Sequence, residues 1–303
     1  MTDFTKGVMT VSKVMQFIKR NSLGWFLILP VLLCLILIKW YPIVEGVKNS
    51  FFASRGYEMT EFVGFDNYID VFSDTLFLKT LLNTIKYVLF SLVIGVVPPI
   101  LIAFLLNEVK FINKFFRVAT YLPYLAPTVA IALIFQQIYL PTESGLLNMI
   151  LGWFHIEPSS LLQDTKLVIP LLIIMQTWQG APGSAVVYLA KMQEVRTDLY
   201  EAALIDGAGL WKRFWTVTWP TISSTVLLLV TRQIIGVFQV MEQPLLMTGG
   251  GPDNASMSLN LTAYNYAFVY MNVSRALALG VVMFLILAVF TVFYFRIEKK
   301  IKG

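Results

Sequence analysis

Long apolar stretches constrain this chain more than any other feature of its sequence. A transmembrane helix needs about 20 predominantly apolar residues, and several such stretches occur among the 303 residues. Because lipid offers no partner for backbone N–H and C=O groups, each stretch must satisfy these groups internally as a helix. The predicted fold is therefore an all-α integral membrane protein with six transmembrane helices. The predicted spans cover about 24–44, 78–107, 118–140, 167–190, 221–246 and 276–295.

The composition agrees with a membrane location. Hydrophobic residues make up 57% of the chain and charged residues 14%, whereas soluble domains carry about 25% charged residues. The chain contains one cysteine, Cys34, and one histidine, His155. A single cysteine excludes a disulfide within the chain, and Cys34 is predicted to be a buried apolar side chain. No metal site built from His and Cys is expected.

The distribution of basic residues predicts the orientation. An even number of spans places both termini on one side, and that side carries most of the 23 Lys and Arg residues. The positive-inside rule then puts both termini in the cytoplasm. Residues 1–23 are predicted to be a cytoplasmic N-terminal segment, and residues 24–303 are predicted to be the six-helix transmembrane domain.

The loop between the fourth and fifth spans, residues 198–220, contains the charged and aromatic stretch EAALIDGAGLWKRFWTVTWP. Residues 198–205 lack Gly and Pro and predict a short amphipathic helix. Gly207 and Gly209 are predicted to end this helix, because glycine accepts the left-handed conformation found at many helix termini. Residues 210–218 predict a second helix. A helix–turn–helix at the cytoplasmic face of the membrane suits docking into a groove of a soluble partner.

The same stretch resembles the EAA loop of binding-protein-dependent ABC importer permeases. The resemblance rests on EAA, then DGA after two residues, then a proline near position twenty. Further stretches resemble the carbohydrate-importer branch, which includes maltose, multiple-sugar and glycerol-phosphate permeases: FVGFDNY, LNTIKY, FRVATYLPYLAP and MTGGGP. The positions that match the EAA loop are Glu201, Ala202, Ala203, Asp206, Gly207, Ala208 and Pro220.

The resemblance implies that the work is divided among several chains. In this family the EAA loop inserts into a cleft on an ATP-hydrolysing subunit and carries its closing motion to the membrane helices. This chain lacks a GxxxxGK[ST] phosphate-binding loop. ATP and Mg²⁺ are therefore expected on the partner, and this chain is expected to hold no cofactor and to be no enzyme. The implied assembly has a second, different permease, two ATPase subunits and an extracytoplasmic sugar-binding protein. It would lie in a prokaryotic cytoplasmic (inner) membrane and bind no nucleic acid.

Polar residues within spans four and five predict a substrate pathway. Polar side chains in a membrane are costly and usually face a cavity or a partner helix. Gln176 and Gly180 share a helix face, and Arg232, Gly236 and Gln239 predict one continuous polar stripe on span five. Amides can pair with sugar hydroxyls, and the resemblance also assigns the pathway to these two helices. The alternative is helix–helix hydrogen bonding with the partner permease. The predicted pathway residues are Gln176, Gln179, Gly180, Gly183, Arg232, Gln233, Gly236, Gln239 and Glu242.

Together these observations predict the permease subunit of an ATP-driven importer for a carbohydrate, with an oligosaccharide as the expected cargo. Arg232 raises an alternative, because Glu242 would lie about 15 Å away along a straight helix. An anionic sugar or a sugar phosphate could supply the missing counter-charge. A secondary carrier is a further alternative, but no clear internal repeat supports it. A membrane-embedded enzyme would need a nucleophile–base pair or a metal cluster within the spans, and the sequence has neither.

Overall fold

The computed structural model describes residues 22–108 and 113–302. Nearly all of the predicted N-terminal segment 1–23 lies outside these described residues. In chain order the α-helices are α1 Ser22–Cys34, α2 Tyr41–Asn49, α3 Asp66–Ser73, α4 Thr75–Gly95, α5 Val97–Glu108, α6 Asn113–Leu125, α7 Thr128–Ile138, α8 Leu146–Trp153, α9 Val168–Met192, α10 Thr197–Ile205, α11 Leu210–Arg213, α12 Trp219–Phe238, α13 Glu242–Thr248, α14 Leu259–Tyr264 and α15 Val273–Lys302. The other elements are strands β1 Phe52–Arg55 and β2 Glu58–Phe62, π-helical turns Leu35–Trp40, Phe214–Thr218 and Asn265–Val269, and a 3-10 turn Leu161–Gln163.

Four helical stretches are long and apolar enough to cross a membrane, and a sharply bent pair of helices is a fifth candidate. The chain is therefore a mostly helical, multi-pass membrane protein. The all-α prediction misses one small feature, since β1 and β2 pair as an antiparallel hairpin in which Phe52 lies opposite Phe62. Gly56 in its turn has φ +65°, the left-handed conformation that tight hairpin turns require. The four stretches are Leu23–Asn49, Thr75–Glu108, Leu210–Phe238 and Val273–Val292.

The predicted third span, 118–140, is broken in the structure. Its residues lie in α6 and α7, which are bent by 101° relative to each other. Pro127 explains the break, because proline disfavours the helical conformation of the preceding residue and cannot donate a backbone hydrogen bond. Gln179 of α9 occupies the gap. Its Nε2 donates to the Ala126 carbonyl at 3.2 Å and to Thr128 Oγ1 at 3.3 Å.

The predicted fifth span, 221–246, ends early. Helix α12 stops at Phe238, and the separate helix α13 follows. Pro244 lacks the N–H that would bond the Val240 carbonyl in a continuous helix. Ser258 Oγ donates to that carbonyl instead, at 2.5 Å. The polar stripe predicted along one continuous helix is therefore interrupted.

The first, second and sixth predicted spans are longer in the structure. Helix α1 continues through a π-helical turn and α2 to Asn49, α4 and α5 follow each other over Thr75–Glu108, and α15 begins at Val273. Asp74 fixes the start of α4, because its carboxylate accepts a hydrogen bond from the Leu76 N–H at 2.8 Å. This is the usual N-cap arrangement, in which a side-chain oxygen satisfies an unpaired backbone donor.

Helix α9 lies at the centre of the fold, where the span 167–190 was predicted. It packs against α4, α5, α6 and α12, and Leu172, Ile173 and Met175 are completely or almost completely buried. In lipid such packing stabilises through close contact, because apolar side chains gain little by leaving an apolar solvent. Helix α9 is not among the four apolar stretches, since amides and glycines interrupt its middle.

The first helix stands apart from this core. The most apolar part of Leu23–Asn49 has no residue buried within the chain. Cys34 is exposed, contrary to the prediction that it is buried. The helix approaches the rest of the fold near Gly46, next to the side chain of Leu277. Because lipid accepts apolar surface readily, such a helix does not require cover from its own chain.

Candidate functional site

A cavity of about 320 Å³ lies where α4, α5, α6, α9 and α12 meet. Amides, hydroxyls, glycines and one guanidinium contribute to its wall beside apolar side chains, which gives the cavity a partly polar lining within an apolar fold. Its lining residues are Ser91, Gly95, Pro99, Tyr124, Gln176, Thr177, Gly180, Ala181, Gly183, Ser184, Leu229, Arg232, Gln233, Gly236 and Val237. We call this space the central cavity.

Helix α9 presents three small or polar residues to the central cavity at intervals of four: Gln176, Gly180 and Ser184. This spacing places them on one face of the helix. Gly183 permits the close approach of Tyr124, because a Cβ at position 183 would lie 2.5 Å from the tyrosine ring. A Cβ at Gly180 would meet no atom within 4 Å. The two glycines therefore differ: Gly183 packs against the Tyr124 ring, whereas Gly180 borders open space.

Helix α12 presents Arg232, Gln233 and Gly236 to the same space. The Gln233 Nε2 donates to the Ser91 carbonyl at 2.6 Å, and Gly95 allows this, since a Cβ there would lie 2.5 Å from that nitrogen. Gln233 therefore ties α12 to α4. Arg232 is exposed to the cavity and has no ion pair within residues 22–108 and 113–302.

The wall formed by α4 and α5 was not predicted from the sequence. Ser91, Gly95 and Pro99 line the cavity from these helices, and their four-residue spacing is the same helical signal that identified the face of α9. Tyr124 was missed as well. Its position depends on the bend between α6 and α7, which the prediction of a straight third span did not include.

Three predicted pathway residues lie outside the central cavity. Gln179 bonds the break between α6 and α7, as described above. Gln239 lies just beyond the last residue of α12, where its backbone carbonyl accepts from Asn260 Nδ2 at 2.8 Å. Glu242 begins α13 and is exposed. Gln239 and Glu242 are separated from the cavity because α12 ends at Phe238.

The coupling segment, residues 197–218, contains all the matches to the EAA loop except Pro220. Helix α10 ends in a Schellman motif, in which the Ala208 N–H donates to the Ala203 carbonyl at 2.9 Å and the Gly207 N–H donates to the Leu204 carbonyl at 3.0 Å. Gly207 has φ +69°, so it ends the helix as predicted. Gly209 does not. It has φ −66° and precedes the next helix, a conformation that does not require glycine.

The second helix of the coupling segment is continuous with the apolar helix that follows. Helix α11, the π-helical turn Phe214–Thr218 and α12 form one stretch, Leu210–Phe238. Pro220 lies in the first turn of α12, where its missing N–H leaves a carbonyl unpaired in the turn before it. The π-helical turn Phe214–Thr218 lies at the position of this unpaired carbonyl, directly before α12. An unbroken helix therefore connects the coupling segment to Arg232.

Several side-chain contacts tie the coupling segment to the membrane helices, and two of them reach α5. Arg213 Nη2 lies 2.9 Å from Glu108 Oε2 at the end of α5, and their side chains are 12% and 21% exposed. Phe214 packs edge-to-face on Phe104 of α5, with ring centroids 5.1 Å apart. Since α5 also contributes to the central cavity, these contacts form a second connection between the segment and the cavity.

The outward surface of the coupling segment is unusually apolar. Ile205 is 86% exposed and Trp211 is 67% exposed, while Glu201, Ala202 and Asp206 are exposed beside them. Ala208 is the exception, because it is buried beneath the turn. An exposed apolar patch rimmed by polar residues is typical of a protein–protein contact.

At the other end of the membrane helices a polar cluster joins α3, α4 and α15. The Asp74 carboxylate accepts from the Tyr266 hydroxyl at 2.5 Å and pairs with Arg275 Nη2 at 2.7 Å. Arg275 also lies over the Tyr266 ring, 4.5 Å from its centroid, and donates to the Asp70 carbonyl. Burial opposes ionisation of Asp74, but its hydrogen bonds from Tyr266 and the Leu76 N–H and the charge of Arg275 outweigh that effect and lower its pKa. No pattern in the sequence indicated this cluster.

The described residues of the site offer polar groups for binding but no metal centre. No group of three or more His, Cys, Asp or Glu residues in the described part of the chain could hold a metal ion. Amide and hydroxyl groups can both donate and accept hydrogen bonds, which suits a ligand rich in hydroxyls.

Comparison with known proteins identifies the family. Residues 81–303 match the family described as "Binding-protein-dependent transport system inner membrane component", which is well over half of the chain. The chain belongs to this family. The identification made from the EAA loop is thus confirmed, and the chain is a transport subunit of the ABC importer permease type.

Individual relatives cover nearly the whole chain. It is 32% identical over 276 residues to the probable ABC transporter permease protein YurN of Bacillus subtilis, covering 89% of this chain and 94% of the relative. It is 30% identical over 293 residues to the probable starch degradation products transport system permease protein AmyD of Thermoanaerobacterium thermosulfurigenes, covering 96% and 98%.

A solved structure shares the fold. A bacterial alginate ABC transporter, determined in complex with an alginate pentasaccharide-bound periplasmic protein, matches with a TM-score of 0.80 and 24% identity. The match covers 94% of this chain and 97% of the other.

Proposed function

We propose that this chain forms half of the translocation pathway of an ATP-driven importer for a carbohydrate, with an oligosaccharide as its cargo. The observation that carries this proposal is the central cavity, whose amides and hydroxyls converge from α4, α9 and α12. Amides pair with sugar hydroxyls as donor and acceptor together. The cargo named for the AmyD relative, starch degradation products, supports the same class.

The proposed topology has six membrane crossings. Helix α9 would supply the fourth crossing, and the bent pair α6–α7 the third, beside the four apolar stretches. Both termini and the coupling segment would lie in the cytoplasm of a prokaryote, with the protein in its inner membrane. The excess of Lys and Arg on that side of the predicted topology supports this orientation.

The coupling segment would dock on an ATP-hydrolysing subunit. Its exposed Glu201, Ile205 and Trp211 provide the contact surface. ATP and Mg²⁺ would bind to that subunit, so this chain would need no cofactor. The complete assembly would contain two such subunits, a second permease and an extracytoplasmic sugar-binding protein. The periplasmic protein seen with the alginate transporter supports the last partner.

The proposed mechanism is alternating access. ATP binding would close the ATPase subunits and displace the coupling segment. Two routes would carry this displacement to the central cavity: the continuous helix Leu210–Phe238 and the contact between Arg213 and Glu108. ATP can shift this equilibrium only because it binds the two states with different affinity.

Neither a secondary-carrier mechanism nor an anionic sugar cargo is favoured. A secondary carrier would have no use for the coupling segment, and the family is binding-protein-dependent. Arg232 is one cation in a wall that is otherwise formed by neutral groups, so an anionic sugar is not required to explain the cavity.

The test is purification of the chain from its own membranes in mild detergent, with partners identified by mass spectrometry, followed by reconstitution into liposomes. We expect an ATPase and a second permease to copurify, and we expect the proteoliposomes to accumulate an oligosaccharide only with ATP and binding protein. A chain that purifies alone and transports sugar without ATP would contradict the proposal.

A further inference from the structure

A second pocket lies beyond the central cavity, at the end of α9 opposite the coupling segment. Its volume is about 460 Å³. The end of α7, the loop before α9, the end of α13 and the turn that follows it form the wall. The residues that matter most are Gln136, Gln137, Tyr139, Gln163, Thr248 and Pro252. We call this pocket the vestibule.

The vestibule is built by continuations of the chain segments that build the central cavity. Helix α6 gives Tyr124 to the cavity, and α7, which follows it, gives Gln137 to the vestibule. Likewise α12 lines the cavity, and α13 lines the vestibule with Thr248. Helix α9 gives Gln176 to the cavity, and the 3-10 turn before α9 gives Gln163 to the vestibule. The two spaces therefore follow one another along α9.

The wall of the vestibule is fixed by partly buried hydrogen bonds. Gln136 Nε2 donates to the carbonyls of Leu246 and Met247 at 3.0 and 3.2 Å, which joins α7 to α13. Thr248 Oγ1 lies 2.7 Å from Ser256 Oγ and thereby holds the turn after α13. A pocket held open in this way loses little conformational entropy when a ligand binds.

The loop on the facing side is held by one side chain. Asn148 is 2% exposed, and its Nδ2 donates to the carbonyls of Leu140, Thr142 and Ser159. Its Oδ1 accepts from the Ser159 N–H at 2.9 Å. These four bonds close the loop that presents Gln163.

Two amides in the vestibule are available to a ligand. Gln137 and Gln163 are exposed, and neither side chain has a hydrogen-bond partner among residues 22–108 and 113–302. None of the lining residues that the structure describes is charged. Uncharged donors and acceptors beside the ring of Tyr139 favour a neutral ligand with hydroxyl groups and apolar C–H faces.

We propose that the vestibule is an entrance subsite that binds uncharged units of an oligosaccharide before they reach the central cavity. This inference rests on the proposed function, because it assumes carbohydrate import with the vestibule on the extracytoplasmic side. It adds a second binding site, with Gln137 and Gln163 as its hydrogen-bonding residues.

Cysteine protection tests the subsite in the complete transporter. In a Cys34→Ser parent, which has no other cysteine, Gln137→Cys and Gln163→Cys are made singly and labelled with a membrane-impermeant maleimide. The probe is an equimolar pool of maltopentaose, arabinopentaose and cellopentaose. We expect the pool to slow labelling at both positions at least fivefold. Sorbitol at the same mass should have no effect. Thr165→Cys, exposed in the same loop but outside the pocket, is the matched control and should label at one rate throughout.

A transport assay separates the subsite from the proposed function. Gln163→Ala should raise KM for the transported pentasaccharide about fivefold with kcat unchanged, and Gln163→Asn should restore part of the loss. Transport of the pool by the parent without protection at either cysteine would overturn the subsite alone. Protection by binding protein without sugar would also overturn it, because the pocket would then be a protein contact. Absence of both ATP-driven transport and protection would overturn both proposals.

Discussion

The two ends of α9 are held in opposite ways. At the vestibule end, the buried Asn148 and the partly buried Asp74 each make several hydrogen bonds to neighbouring segments. At the coupling end, the attachment includes the Arg213–Glu108 pair and the Phe104–Phe214 contact, while the hydrogen bond between Tyr200 and Thr218 lies within the coupling segment itself. This difference indicates that the vestibule end is held rigidly by its hydrogen bonds. The other end has a few defined contacts through which, in the proposed mechanism, it would follow the ATPase subunit.

The largest effect is expected midway between these ends, where both would act on the central cavity. Gly183→Ala should lower ATP-driven uptake about tenfold, because the added Cβ would lie 2.5 Å from the Tyr124 ring and such overpacking costs about 1–3 kcal/mol. Uptake by proteoliposomes that contain the complete transporter measures the effect.

Gly180→Ala is the matched control on the same helix. A Cβ there meets no atom within 4 Å, so we expect uptake to fall less than about twofold. If the two alanine variants transport equally well, Tyr124 does not form a fixed wall of the cavity.

A smaller effect is expected at the coupling end. Gly207→Ala should lower sugar-stimulated ATP hydrolysis about fivefold, since a residue with a Cβ in the left-handed conformation costs roughly 1–2 kcal/mol and Gly207 has φ +69°. ATP hydrolysis by the purified complex, with and without sugar-loaded binding protein, provides the measurement.

Gly209→Ala should leave that activity within experimental error of wild type. Gly209 has φ −66°, and a Cβ there meets no atom within 4 Å. An equal loss in both variants would mean that any added bulk on this surface hinders docking, whatever the turn geometry.

The smallest effect is expected at the vestibule end and concerns stability. Asp74→Asn removes the charge that pairs with Arg275, and we expect the melting temperature at pH 7 to fall by about 2–4 °C, which corresponds to roughly 1 kcal/mol. Asp70→Asn is the control, because Asp70 is exposed and its backbone carbonyl, not its carboxylate, accepts from Arg275. The melting temperature of the complex in detergent, followed by tryptophan fluorescence, tests both variants.

The dependence of this difference on pH has a definite sign. The pKa of Asp74 is lower in the folded protein than its ordinary value of 3.8. Its ionised form therefore stabilises the fold at every pH above 3.8, and this contribution is lost as the pH falls through the lower, folded-state pKa. The difference between wild type and Asp74→Asn should be constant from pH 7 to pH 5 and should shrink below 3.8. A difference that shrinks between pH 7 and pH 5 would contradict the assignment.

Sequence patterns predicted features that depend on neighbouring residues along one helix. The apolar stretches, the turn at Gly207 and the face formed by Gln176 and Gly180 follow from helical spacing and glycine conformation alone. Pro127 and Pro244 carried the signal for the broken third and fifth spans. That signal was outweighed by the apolar character of the segments around them, and Gln239 and Glu242 were therefore wrongly placed within the helix of the fifth span.

Features that depend on distant pairs could not be predicted in the same way. Glu108 and Arg213 are 105 residues apart in sequence, and Asp74 and Arg275 are 201 apart. Nothing in the local sequence around either acid indicates its partner. The vestibule has the same character, because it brings together α7, the loop before α9 and α13 only after the chain has folded.

The most direct test of this account is reversal of the Glu108–Arg213 pair. The Glu108→Arg and Arg213→Glu single variants and the double variant would be compared for ATP-driven oligosaccharide uptake in proteoliposomes, after each is shown to bind its ATPase partner. If this pair carries motion from the coupling segment to α5, each single variant should lose most of its uptake, and the double variant should recover at least half of it. Single variants that transport like wild type, or a folded double variant that transports no better than either single, would contradict the account.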